Sequence, residues 1–191
     1  RAISPQLAMS AGTMIACSCK EIIMGKQSNL GPIDPQFGGI PAYGVLSEFN
    51  KAVEDVKLDP QKLPLWQVII SKYHPTFIGE CENAIRMSSQ MVLDWLQTGM
   101  FKDNPYKEKI SKQIVEGLNN HADTMSHARH IHIEECKSMG LKITDMEADQ
   151  KLQDLILTIH HSYMHTFANS SALKIVENQE GVAVILNSKN N

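Results

Sequence analysis

Ala8-Met9-Ser10-Ala11-Gly12-Thr13-Met14-Ile15-Ala16 is the stretch whose reading decides the fold. Ahead of it, Arg1 to Ala8 reads as a strand that contains Pro5, and behind it Thr13 to Ser18 are small or apolar. Small residues on both sides of Ser10 predict a sharp turn from a strand into a buried helix. A serine at such a junction presents its hydroxyl, and the free N–H groups and positive dipole end of the helix suit a developing oxyanion. The same position also fits a helix N-cap, in which the hydroxyl accepts from an amide of the first turn. The pattern A-M-S-A-G lacks the first glycine of a G-x-S-x-G elbow, which counts against an α/β-hydrolase site.

Outward from this turn, Glu21 to Gly25 is a short β-prone run, and Lys26 to Gly39 is a loop dense in Gly, Pro, Asn and Asp. Val45, Phe49, Val53 and Val56 fall near helical spacing and predict an amphipathic helix over 45–56, closed by Leu58-Asp59-Pro60. A second helix is expected over 63–72. A long one follows over 75–99, where Ile78, Cys81, Ile85, Met91, Val92, Trp95 and Leu96 recur at three- and four-residue steps. Pro105 opens a helix over 106–118. A short helix over 133–139 stops at Gly140, and a longer one spans 150–167. Residues 172–176 and 182–186 flank a turn and predict a terminal hairpin.

The chain has 191 residues, 42% of them hydrophobic and 20% charged, so it is long enough to bury a real core as a single domain over 1–191. Eighteen basic residues against 21 acidic ones, with no Lys/Arg run, argue against a dedicated nucleic-acid binder. No apolar run approaches the roughly 18 to 20 residues of a membrane span, so a soluble chain is expected. Cys17, Cys19, Cys81 and Cys136 lie in apolar stretches without zinc spacing, which predicts reduced, buried thiols and a cytoplasmic location. The chain begins at Arg1, directly in a predicted strand, and an N-terminal part of the fold is expected to lie upstream.

Three stretches carry a resemblance. A-M-S-A-G-T-M-I-A (8–16), I-I-M-G (22–25) and S-N-L-G-P-I-D-P-Q (28–36) resemble the serine dehydrogenase proteinase family, a branch of the Clp protease and signal peptide peptidase superfamily. S-H-A-R-H-I-H-I-E-E-C-K-S-M-G-L (126–141) resembles the loop and short helix after that superfamily's active-site crossover, and K-I-V-E-N (174–178) is similar as well. The resemblance implies an α/β, Clp/crotonase-like fold with additional helices. It also implies peptidase chemistry on unfolded proteins or peptides without ATP or another cofactor, and a homo-oligomer. Membrane association would come only through residues outside this chain.

The resemblance places the family's nucleophile on Ser10, with Asp34 and a histidine completing a triad. His127 is the first choice, with His130 and His132 left open. His127 would take the Ser10 proton and return it to the leaving amine, and Asp34 would hold the imidazole. The Ala11 amide would be one oxyanion donor, and the other, by resemblance, would come from upstream of Arg1. Asp34, between Pro32 and Pro35, also fits an Asx-turn, and the histidines also fit an exposed polar loop. Clp proteases hold a histidine where Asp34 stands. Lys57 and Lys62 are the alternatives should a Ser/Lys dyad operate. His161 and His165 have zinc-helix spacing without the intervening Glu, and no metal site is expected. Two other readings compete: a catalytically silent oligomerisation or substrate-binding module on the same fold, and an acyl-CoA enzyme of the related crotonase fold.

Overall fold

Two short three-stranded sheets organise the first part of the chain in the computed structural model, which describes residues 1–119 and 129–188. In one sheet β3 (Ile22–Met24) lies between β1 (Ala2–Ser4) and β8 (Ile143–Asp145), all parallel, with Ile22 opposite both Ala2 and Ile143. In the other, β4 (Asn29–Leu30) pairs parallel with β2 (Leu7–Ala8) and antiparallel with β7 (Ile131–His132). β3 is wholly buried, as its continuous Ile-Ile-Met run requires of a central parallel strand.

The helices cover these sheets. α1 (Ala11–Cys17), α4 (Phe77–Thr98), α5 (Lys107–Leu118) and α6 (Ile133–Met139) contribute Ala16, Cys17, Val92, Leu96, Ile114, Leu118 and Cys136 to one core with Ile22, Met24, Leu30 and Ile131. Along α4 the buried residues Cys81, Ser88, Val92 and Leu96 keep one face inward. The helix ends at Gly99, where a Cβ would stand 2.8 Å from the Trp95 carbonyl oxygen and 2.9 Å from that of Ser18. Glycine therefore lets the ends of α4 and α1 meet. α6 stops at Gly140, in the left-handed region at φ 102°.

α2 (Ala42–Leu58) follows a small hairpin of β5 (Gln36–Phe37) and β6 (Ile40–Pro41). With Cys81 of α4 it forms a second cluster, Ala42, Val45 and Cys81, edged by Phe37, Phe49 and Phe77. Phe37 and Phe77 meet edge to face with ring centroids 5.4 Å apart. α3 (Leu63–Ile70) comes after a 3₁₀ turn at Pro60–Lys62.

The chain divides into two compact units, Arg1–Asp145 and Met146–Asn191. The second holds α7 (Gln150–Asn169), capped by the Asp149 carboxylate on the Leu152 amide at 3.0 Å, and the antiparallel hairpin of β9 (Ala172–Glu177) and β10 (Ala183–Asn187). The expected helices and hairpin are present to within a few residues. Two readings need correction. The 26–39 segment contains β4 and β5, and β7 and β8 add strands that no alternation announced. All four cysteines are free, and Cys17, Cys81 and Cys136 are buried, whereas Cys19 is half-buried. Among the described residues no helix is long and apolar enough to cross a membrane.

Candidate active site

The site begins with backbone strain. Ser10 has φ 50° and ψ −113°, and it is the one non-glycine residue with positive φ among those described. For an L-residue such a conformation costs about 1–3 kcal/mol and persists only where the surroundings enforce it. Here the Gly12 amide donates to the Met9 carbonyl at 2.8 Å, and α1 starts at once with Met14 N–H on the Ser10 carbonyl at 3.1 Å. The Ser10 side chain makes no capping hydrogen bond, so the N-cap reading does not describe its hydroxyl. The serine is half-buried at the tip of the turn, and the Ala11 amide stands at the first helical position, where an N–H has no intrahelical acceptor.

Thr13, missed as a functional residue, fixes this turn. Its buried hydroxyl lies 2.6 Å from the Ala8 carbonyl and 2.9 Å from the Gly31 carbonyl, and accepts from the Gly31 amide at 2.9 Å. The loop after β4 is thereby bonded to the first turn of α1. Gly31 is the partner because a Cβ there would fall 2.6 Å from Met9 Cε and 3.3 Å from Met9 Cα. The available signal was weak: a threonine three residues beyond a candidate nucleophile, and a glycine at the head of G-P-I-D-P.

Asp34 is fully buried three residues further along. Its Oδ1 accepts from the Tyr43 amide at 3.4 Å, next to the Ala42 amide that donates to the Pro35 carbonyl at 2.9 Å, so both bonds tie the 34–35 segment to the first turn of α2. Burial raises its pKa to about 6, against a smaller lowering by the Tyr43 amide. Tyr43 is raised in turn, by burial first and then by the Asp34 charge.

The register of the second sheet sorts the histidines. Leu30 pairs with Ala8 on one side and Ile131 on the other, so His130 immediately precedes the strand that flanks β4. His132 stands two residues further down the ladder, opposite Asn29. Both histidines are exposed, and Arg129 beside them is paired with Glu135. His127 lies outside the described residues. Among those described, Ser10 makes no side-chain hydrogen bond to Asp34, His130 or His132.

The lysine alternatives lie at the end of α2 and in the 3₁₀ turn after it. Lys57 lies in the last turn of α2, 14 residues and about 21 Å along the axis from Tyr43, and pairs with Glu54 at 2.8 Å. Lys62 pairs with Asp55 at 3.2 Å. Both ammonium groups are solvated, whereas a lysine base needs desolvation. Among the described residues no three His, Cys, Asp or Glu side chains group as a metal site.

A strained serine at a strand-to-helix turn, set on parallel β-α units, belongs to a mixed α/β protein. Residues 1–166 match the family described as ClpP-like SDH-type serine proteinase, and the chain belongs to that family. Two relatives come from Methanocaldococcus jannaschii. "Uncharacterized protein MJ1495" is 30% identical over 154 residues, 81% of this chain and 45% of its own length. "Uncharacterized protein MJ0137" is 32% identical over 146 residues, 75% of this chain and 43% of its own. The chain thus spans under half the length of the relatives it matches. No solved structure matches it.

Proposed function

We propose that this chain is the catalytic part of a serine endopeptidase acting on unfolded proteins or peptides without ATP. The observation that carries this reading is the backbone of Ser10, held at positive φ with its hydroxyl uncommitted at the start of α1. Ser10 Oγ attacks the scissile carbonyl carbon, and its proton passes to an imidazole of the 127–132 segment. The resulting oxyanion accepts from the Ala11 amide. Collapse breaks the C–N bond, the imidazolium returns the proton to the departing amine, and water then hydrolyses the acyl-serine by the same path. His127 is the proposed base, with Asp34 holding it. His130 is the alternative supported by the register of β4 and β7.

The silent-module reading draws support from a different observation. Asp34, which by resemblance stands where Clp proteases hold a histidine, is fully buried and accepts from the Tyr43 amide at the start of α2. One experiment separates the two. Intact mass after treatment with a fluorophosphonate is expected to show a single adduct that disappears in Ser10→Ala and in the histidine→glutamine variant of the true base. A folded wild-type chain that takes no adduct, or takes it equally in Ser10→Ala, overturns the peptidase reading.

A further inference from the structure

A cavity of about 630 Å³ opens beside the close approach of α4 to α1 at Gly99. Its lining comes from three places distant in sequence: Lys20 ahead of β3, Lys142 ahead of β8, and the turn 98–105 between α4 and α5. The register of the first sheet explains why they meet. Ile22 pairs with Ile143, so the two lysines precede neighbouring parallel strands, and the Ile22 amide donates to the Lys142 carbonyl at 3.0 Å. The cavity is not the Ser10 site. Ser10 stands at the N-terminal end of α1, whereas Ser18, at the other end, meets Gly99, and a seven-residue helix of about 10 Å lies between.

The charges around this cavity do not balance. Lys20, Lys102 and Lys142 line it with a single carboxylate, Asp103, which leaves an excess of two positive charges. Helix C-termini attract cations, and α1 and α4 both end here, so one lysine is expected on that ground alone. Lys142 fills that role: its ammonium donates to the Met100 carbonyl at 2.7 Å and stands 5.2 Å from the Phe101 ring centroid. Lys20 and Lys102 do not, since neither ammonium has a hydrogen bond or an ion pair among the described residues. Like charges gathered around one cavity repel, and an anion entering it offsets that repulsion. Asn104 adds a neutral donor. Its Oδ1 accepts from the Tyr106 amide at 2.8 Å, which fixes the side chain and leaves the Nδ2 hydrogens available. A carboxylate would bring one negative charge, whereas a phosphate monoester brings about −1.5 to −2 at neutral pH, which matches the excess. The volume is too large for phosphate alone and falls within the ~300–1,000 Å³ of small-molecule pockets, with Met100 and Pro105 as an apolar wall.

We infer that this cavity binds a small organic phosphate, its phosphate group held by Lys20, Lys102 and the Asn104 amide and its organic part against Met100 and Pro105. The inference stands independently of the peptidase reading. Titration of the isotope-labelled chain with phenyl phosphate, at a constant ionic strength of about 0.1 M, is expected to shift the amides of Lys20 and of residues 99–104 along a saturating curve. Lys20→Gln and Lys102→Gln each remove a charge-assisted hydrogen bond and are expected to raise Kd about tenfold. Both lysines are exposed, so neither substitution removes packing. Lys51→Gln, which takes the same charge from an exposed position on α2, should leave Kd unchanged, and Asp103→Asn should lower it. Inorganic phosphate should shift the same amides with a Kd several-fold higher than that of phenyl phosphate. No saturating shift there up to about 20 mM phenyl phosphate overturns the inference, as does a Kd that both lysine variants leave unchanged or that Lys51→Gln raises equally. Inorganic phosphate binding as tightly as phenyl phosphate overturns the assignment to an organic phosphate. A glutamine chain that lost its fold would show it in the same spectra. The wild-type and Asp103→Asn titrations would then decide, and a Kd raised by Asp103→Asn overturns the inference.

Discussion

Ser10 stores backbone energy at the point where the proposed chemistry needs a presented hydroxyl. Glycine occupies positive φ without that cost, so Ser10→Gly should melt above Ser10→Ala. About 1 kcal/mol of relieved strain corresponds to roughly 2–4 °C in a chain of this size. Ser10→Ala should melt within a degree or so of wild type, since it keeps the Cβ and removes no hydrogen bond. Equal melting temperatures for the alanine and glycine chains in calorimetry would show that the turn is unstrained. Asp34 makes a second residue-scale prediction. Its folded pKa, about 6, lies above its unfolded value, so the protonated carboxyl favours folding. The stability linked to Asp34 is therefore fully present below the ordinary carboxyl value of 3.8 and is lost as pH rises from there through about 6. Asp34→Asn should flatten that part of the pH–stability curve, making the variant the more stable chain at pH 7 by about 1–3 kcal/mol and removing its advantage at pH 4. An unchanged slope in urea titrations across this window would contradict it. Ser10 was legible because its small neighbours announce a turn. The burial of Asp34 was not, because a carboxylate between two prolines has the composition of a solvated turn, and only its return to the start of α2 takes it inside.

At the scale of elements, two contacts hold the site. The Thr13 hydroxyl joins α1 to the loop after β4, and Thr13→Val keeps the shape while leaving the Gly31 amide without its acceptor. The expected loss is about 1–3 kcal/mol in chemical denaturation, with slower acylation of Ser10 in whatever protein remains folded. Unchanged acylation would mean that the loop does not position Ser10. Gly99→Ala tests the second contact, because the added Cβ meets two backbone carbonyls that cannot rotate away. Its thermal midpoint should fall by several degrees, whereas Gly79→Ala on α4, where a Cβ meets nothing within 4 Å, should be neutral or stabilising. The helices were readable because each repeats its apolar face over several turns. The strands β4, β7 and β8 have two or three residues each, too few to alternate, and they exist because distant segments pair with them. His130 drew no preference from the sequence for the same reason: its relation to Ser10 runs through β4, about 100 residues away along the chain.

For the molecule as a whole, the two units differ in how they are held. The first has one large core shared by four helices and two sheets, while the buried hydrophobic residues of the second are Met146, Ile156 and Ala172 among those described. Amide exchange should therefore be slow in β3 and α5 at every protein concentration. The family and the mixed fold were legible in local motifs. The lysine-lined cavity was not, because Lys20, Lys102 and Lys142 are far apart along the chain and meet only through the pairing of β3 with β8 and the turn after α4.

The buried thiols have a practical use. Burial pushes Cys17 and Cys136 up to about 12 and raises Cys81 as well, which leaves all three in the unreactive protonated form at neutral pH. With Cys19 replaced by serine, a Ser10→Cys chain would carry a single addressable sulfur at the strained turn. The pH dependence of its alkylation by iodoacetamide would then report the acidity imposed on that position, with no substrate needed.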